Sequence, residues 1–322
     1  MVLDKIVNVQ LIQKIPAFAI PIGFIFVLIG FISSALIFPS ELSIVIVALS
    51  SLLILPYVIK IFEIDELDID LDEIVDVSEL KIQDLEKWVK KCLRDGYTPK
   101  QIRDSLIRNN LDKIHTLLYD LGVVDGISEK YTKGLNVVTR HIKLIEFYSF
   151  LFLGMFLAYA VLFGILSPEI QKVAFKNQLS IIVGPRGYFN LPESFYGIIS
   201  NNIKIIFICV ALSFLYGAGA VFILNYNASI AGVLYGSSLR KILYGTGFAI
   251  LSNPLSYVPH TTLEIFAYLL AAISGGILSK VAAKEQPGAQ RLLLIDGVVY
   301  LILSIIVVLI AGYVEVTVPG MF

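Results

Sequence analysis

Long apolar runs separated by short polar joints set the plan of this chain. A helix needs about 20 mostly apolar residues to cross a bilayer. Residues 15–38, 43–62, 145–166, 203–224, 242–257, 260–279 and 292–313 approach or meet that length. The fifth run is short, follows a separate apolar piece at 229–235, and is interrupted by Gly236, Ser237, Ser238, Arg240 and Lys241. That pattern reads as a broken or re-entrant helix, which is tolerated at membrane depth only where protein or a water-filled cavity covers the backbone.

Between the second and third runs the pattern turns polar. In residues 63–79, Asp and Glu alternate with Ile, Leu and Val, which predicts an extended linker or an edge strand. The spacing of Asp68, Asp70 and Asp72 raises a calcium loop, but the central Gly of such a loop is missing, so a solvated linker is expected. Leu85, Trp88, Val89, Cys92 and Leu93 then share one helical face. Thr98-Pro99-Lys100-Gln101 reads as a capping box with Pro at the first helical position. Ile114, Leu117, Leu118 and Leu121 make a third face, closed by Gly122. This plan is similar to the ubiquitin-associated class of small helical domains, whose members bind partners more often than they catalyse.

The expected fold is therefore all-α: a polytopic integral membrane protein of about seven transmembrane helices, with a small cytoplasmic helical module inserted after the second. Residues 1–62 form an N-terminal transmembrane hairpin, 63–137 the acidic linker and three-helix module, and 138–322 a five-helix membrane domain. Composition agrees. Of 322 residues, 57% are hydrophobic and 16% charged, against about 45–50% and about 25% in a soluble domain. Mean hydropathy is +0.82. The net charge of -1 gives no reason to expect nucleic acid. Cys92 lies in the polar region and Cys209 in an apolar run, so no disulfide is expected. An Ile- and Lys-rich composition poor in Gln and His fits a thermophilic archaeon.

Positive charge orients the runs. Lys5 and Lys14 flank the first, and the polar insert carries most of the remaining Lys and Arg. Arg240, Lys241, Lys280, Lys284 and Arg291 form two further basic sites, while 39–42, 256–259 and the tail 315–322 carry none. The expected topology in the plasma membrane puts the N-terminus and residues 63–142 in the cytoplasm and the C-terminus outside. The connection 167–202 then lies outside, and its aromatic stretch 189–199 is expected to rest on the bilayer or fold over the region of His260.

The candidate chemistry centres on His260 and Glu264, one helical turn apart at the start of an apolar run. Ionisable groups inside a membrane are costly unless satisfied and usually mark a site. The polar set around them is Asn201, Asn202, Asn225, Asn227 and Arg240. Three uses of this set stay open. The residues hold helices together; or they line a transport or lipid-binding cavity; or His260 and Glu264 ligate a metal in an intramembrane hydrolase, which would need a third ligand. No cofactor is indicated by sequence. Glu146 and Asp296 sit near run ends beside Lys143 and Arg291, where interfacial pairing accounts for them.

Residues 138–313 resemble the stage II sporulation protein M (SpoIIM) family. The resemblance is carried by Asn201-Asn202, Gly217 and Gly219, then Asn225 and Asn227, Gly232 and Gly236. It continues through Pro259, His260 and Glu264, and ends in Gly275-Gly276 before a final apolar run. Members often have Gly after the His, where this chain has Thr261. The resemblance implies a polytopic, N-in/C-out membrane protein without established enzymatic activity. In spore formers the family member works in a complex with peptidoglycan-remodelling proteins; in an archaeon that role would not transfer. The expected function is a non-enzymatic scaffold, forming a homo-oligomer through small-residue interfaces and docking a protein partner through the cytoplasmic module.

Overall fold

The computed structural model describes residues 15–73, 141–183, 195–245, 258–283 and 290–317, together with isolated positions 12, 91–92 and 137. The three-helix module, apart from 91–92, and residues 74–79 of the linker lie outside the described residues. After a short 3-10 turn at Pro16–Phe18, the helices are α1 (Ala19–Ile37), α2 (Leu42–Glu73), α3 (Ile142–Ile165), α4 (Pro168–Ala174), α5 (Lys176–Val183), α6 (Phe195–Tyr216), α7 (Val221–Tyr244), α8 (Val258–Ala283) and α9 (Gln290–Thr317). No strand occurs among the described residues. Residues 63–73, expected as a linker or edge strand, continue α2 instead. A helix already nucleated by an apolar span extends through acidic residues at little cost per residue.

Six of these helices, all but α4, α5 and α7, are long and apolar enough to cross a membrane. The chain is a multi-pass membrane protein. The 24-residue α7 is a seventh long helix. It is more polar than the six, and it is sheathed by α3, α2 and α5.

The pattern misplaces two boundaries. The fourth span is Phe195–Tyr216 rather than 203–224, because Gly217 adopts a left-handed backbone (φ 69°) and ends the helix in a four-residue turn. Gly219 in the same turn leaves no room for a Cβ against the Leu212 carbonyl. The fifth long helix is then Val221–Tyr244, not 242–257. It runs unbroken through Gly236, Ser237 and Ser238, with the Ser237 hydroxyl donating back to the Leu234 carbonyl (2.7 Å). Gly245 (φ 63°) closes it, its N–H returning to the Lys241 carbonyl (3.0 Å). Residues 246–257 lie outside the described set.

The helices sort into two groups. In the first, α3 packs along α7 and α1, and α2 closes against α1 and α7. In the second, α8 is sandwiched by α9 and α6. Backbones approach closely where side chains are small. A Cβ on Gly154 of α3 would run into the Ile20 backbone of α1, and one on Gly236 of α7 would meet the Ala160 carbonyl at 2.6 Å. Ser274 donates across to the Gly297 carbonyl (2.7 Å) and Ser304 to the Ala267 carbonyl (2.8 Å), tying α8 to α9.

α4 and α5 fold back against α2, with α5 reaching the Ser43 hydroxyl at the start of α2. Phe175, fully buried, stacks edge-on against Tyr159 and Phe163 of α3. Gln178 of α5 accepts from the Ser43 hydroxyl (2.8 Å) and donates to the Ser229 hydroxyl (2.9 Å), bridging α2 and α7. The described part of the connection after α3 is thus packed into the bundle.

Candidate functional site

The polar residues singled out by sequence fall in three separate places. The first is at the ends of α6 and α8 nearest Phe195 and Val258. Glu264 stands on the second turn of α8 and Asn202 on the third turn of α6. The Asn202 side-chain amide donates to Glu264 Oε1 (2.5 Å), and the Tyr268 hydroxyl donates to Asn202 Oδ1 (2.8 Å). Asn202 is buried and Glu264 half-buried. Residues at 264 and 268 share one face of α8, which is why a single Asn side chain engages both. Glu315 of α9 lies close enough for its charge to be felt at Glu264. His260 is buried one turn before Glu264, its Nε2 3.4 Å from the Thr261 hydroxyl. Asn201, half-buried, is the neighbour of Asn202 on α6.

The second place is the junction of α2, α3 and α7. Asn225, fully buried, aims its amide nitrogen at the Val47 carbonyl (3.1 Å) and the hydroxyls of Ser50 (2.7 Å) and Ser51 (3.0 Å). The Tyr159 hydroxyl of α3 faces Ser50 and Asn225. Asn225 and Asn227, which fall between the runs 203–224 and 229–235, both lie in the first third of α7. Asn227 donates to the Ile223 carbonyl of its own helix (2.8 Å).

The third place is the far end of α7. Arg240 donates to the carbonyls of Leu166 (2.5 Å) and Gly164 (3.5 Å), and its guanidinium lies 5.2 Å from the Tyr244 ring centre. Those carbonyls end α3 and lack helical partners. A cation there satisfies them and opposes the negative end of the helix dipole. Arg240 is thereby drawn to the end of the bundle opposite the Gly217 turn, and its donors serve α3. Beside it, Glu169 at the exposed start of α4 has its carboxyl held below the usual range by its own backbone N–H and the Ser167 hydroxyl, with Lys172 and Arg240 adding to the effect.

Sequence reasoning missed a fourth polar contact. His141, at the cap of α3, meets Asp296 of α9 with Nε2 3.2 Å from Oδ2, and both side chains are buried. Tyr300 packs edge-on against the imidazole, ring centres 5.6 Å apart. Interfacial pairing near Arg291 is the role the sequence predicts for Asp296. The available signal was a single charged residue, seven positions into a helix whose buried face is otherwise uncharged. Together with Phe62 packed on Tyr148 and Gly276, this pair joins the two helix groups at the end nearest the insert.

For metal chemistry, His260 and Glu264 are the sequence candidates. Among the described residues no three of His, Cys, Asp and Glu come together. Cys209 is a free, buried thiol on α6, facing Tyr148 of α3.

With the geometry in hand, comparison with known proteins places the fold. The family model described as stage II sporulation protein M matches residues 147–318, which covers most of α3 and all of α4 through α9. The chain belongs to the SpoIIM family. An uncharacterised protein of Methanocaldococcus jannaschii is 29% identical over 174 residues, covering 50% of this chain and 88% of that relative. No solved structure matches. The SpoIIM match begins inside α3, so α1, α2 and the insert lie outside the matched region. Asn225 and Gly154 lie in that region and are what α2 and α1 dock against.

Proposed function

We propose that this SpoIIM-family protein is a non-enzymatic membrane scaffold whose intramembrane polar residues hold the spans in register. One observation carries the reading. Four members of the polar set make bonds between helices, Glu264 with Asn202, Asn225 with Ser50 and Ser51, and Arg240 with the end of α3, in three places rather than around one chamber. In lipid such bonds contribute about 0.6–2 kcal/mol each. They give a rigid platform, and the helical insert supplies the docking surface for a protein partner. The protein acts as a homo-oligomer in the plasma membrane.

We place the N-terminus and the insert in the cytoplasm and the C-terminus outside. With Arg240 and Lys241 moved to the end that carries Leu166, the charge argument rests on Lys5, Lys14 and the Lys and Arg residues of the insert, which count whatever its Asp and Glu content.

A carrier or lipid-binding role is the second reading. It is favoured by the half-buried Glu264 with a second carboxylate, Glu315, within electrostatic reach. Cross-linking mass spectrometry on the full chain in its native membrane separates the two. The scaffold reading expects cross-links to one defined partner concentrated in residues 80–122. Saturable solute uptake in reconstituted vesicles, abolished in Glu264→Gln, with no such cross-links, would establish the carrier instead.

A further inference from the structure

Lys204 is a cation in the wrong place for a purely structural span. It stands near the middle of α6, a helix long and apolar enough to cross a membrane. It is exposed, and no hydrogen bond or ion pair reaches it among the described residues. At 100° per residue the exposed positions Ser200, Lys204, Phe207, Ile208, Ala211 and Leu215 fall on one arc, with Lys204 at its centre. Asn202, Cys209 and Ser213, all buried, form the opposite face. Lys204 therefore points away from the bundle.

The ends of α6 show where that face sits. Tyr196 is 82% exposed at one end and Tyr216 67% exposed at the other. Exposed tyrosines at both ends are the mark of the two membrane interfaces. Lys204 lies eight residues from Tyr196, about 12 Å along the axis. Helical side chains lean toward the N-terminus, which for Lys204 is the Tyr196 end. One turn that way is Ser200, too small to obstruct the stem. The ammonium thus reaches back toward the nearer interface, while Phe207, Ile208, Ala211 and Leu215 continue as an apolar lane below it.

We propose that this face of α6 binds one lipid with an anionic phosphate head group. Lys204 and the Ser200 hydroxyl take the phosphate, and an acyl chain lies along Phe207 to Leu215. A charged group over an apolar lane, at the depth of the lipid backbone, is complementary to that molecule and to no solute. A second copy of the chain presenting the same face would set two ammonium groups against each other. The carboxylate at similar depth in this chain, Glu264, is held on the other side of α6 by Asn202. This inference does not depend on the scaffold reading.

The test is native mass spectrometry of the full-length protein, wild type beside Lys204→Met and Lys204→Arg, titrated with phosphatidylglycerol or with phosphatidylcholine. Wild type should retain one phosphatidylglycerol, Lys204→Met should weaken retention about fivefold, and Lys204→Arg should keep it. Phosphatidylcholine should show no such dependence. Equal phosphatidylglycerol retention in wild type and Lys204→Met would overturn the proposal. So would displacement of the lipid by millimolar inorganic phosphate, which would mean the head group alone is recognised. A change of oligomeric state in Lys204→Met without loss of lipid would assign the face to a protein contact instead.

Discussion

Glu264 of α8 accepts from Asn202 of α6 at 2.5 Å, across a helix interface, although its neighbour in the sequence motif is His260. The pairing changes what the motif does. A carboxylate and an imidazole one turn apart look like a ligand pair. In the folded protein the carboxylate joins two spans and Tyr268 completes the bond network. Unpaired, it would be expensive to hold at that depth.

The same logic at the opposite end predicts that Asp296→Leu is severely destabilising. Both His141 and Asp296 are buried, and removing one partner of a buried pair costs about 3–5 kcal/mol. Asp296→Asn keeps an acceptor for the imidazole and should cost less than half as much. Equilibrium unfolding in mixed detergent micelles measures both. Equal, small losses for the two variants would mean that the pair does not join α3 to α9.

Arg240→Ala should loosen the end of α3 rather than abolish ligand binding. Caps and helix-end charges are worth about 0.5–2 kcal/mol. Hydrogen exchange should accelerate over residues 164–174 and stay unchanged in α8. Arg240→Lys should recover part of the protection, since a lysine restores the charge without the planar fork. Unchanged exchange in Arg240→Ala, with lost affinity for an anionic solute, would return Arg240 to a binding role.

How much of this was legible in the chain depends on which signal each feature leaves. Spans with uniform apolar runs, such as α1, α2, α3, α8 and α9, are visible because length alone identifies them. The α6–α7 hairpin is not, because hydropathy runs continuously across the turn. The residue that ends α6 is Gly217, whose left-handed backbone leaves no trace in an apolar window. Shifting that boundary gathers Asn225, Asn227 and Arg240 into one continuous helix, α7. His260, Glu264 and Asn202 were visible as costly residues, but the Asn202–Glu264 bond spans 62 positions and depends on how α6 crosses α8. Lys204, a charge inside the run 203–224, went unread in the sequence, and its exposure in the fold shows that it faces outward.

The hairpin α1–α2 lies outside the family match, and its seating on α3 depends on a missing side chain. In Gly154→Ala the added methyl would meet the Ile20 backbone, which cannot rotate away. Overpacking of this kind costs about 1–3 kcal/mol. Exchange protection over Ala19–Ile37 should fall, while α8 and α9 keep theirs. Full protection of α1 in Gly154→Ala would show that the two helices do not cross at this point.

The most direct test of the account is a double-mutant cycle in bilayers between Asn202→Leu and Glu264→Gln, read by reversible unfolding. If polar side chains act as clamps between spans, each single variant destabilises and the coupling between them is about 0.6–2 kcal/mol. Additive effects with no coupling, and a bound small molecule or metal lost from Glu264→Gln alone, would contradict it and make Glu264 a ligand-binding residue.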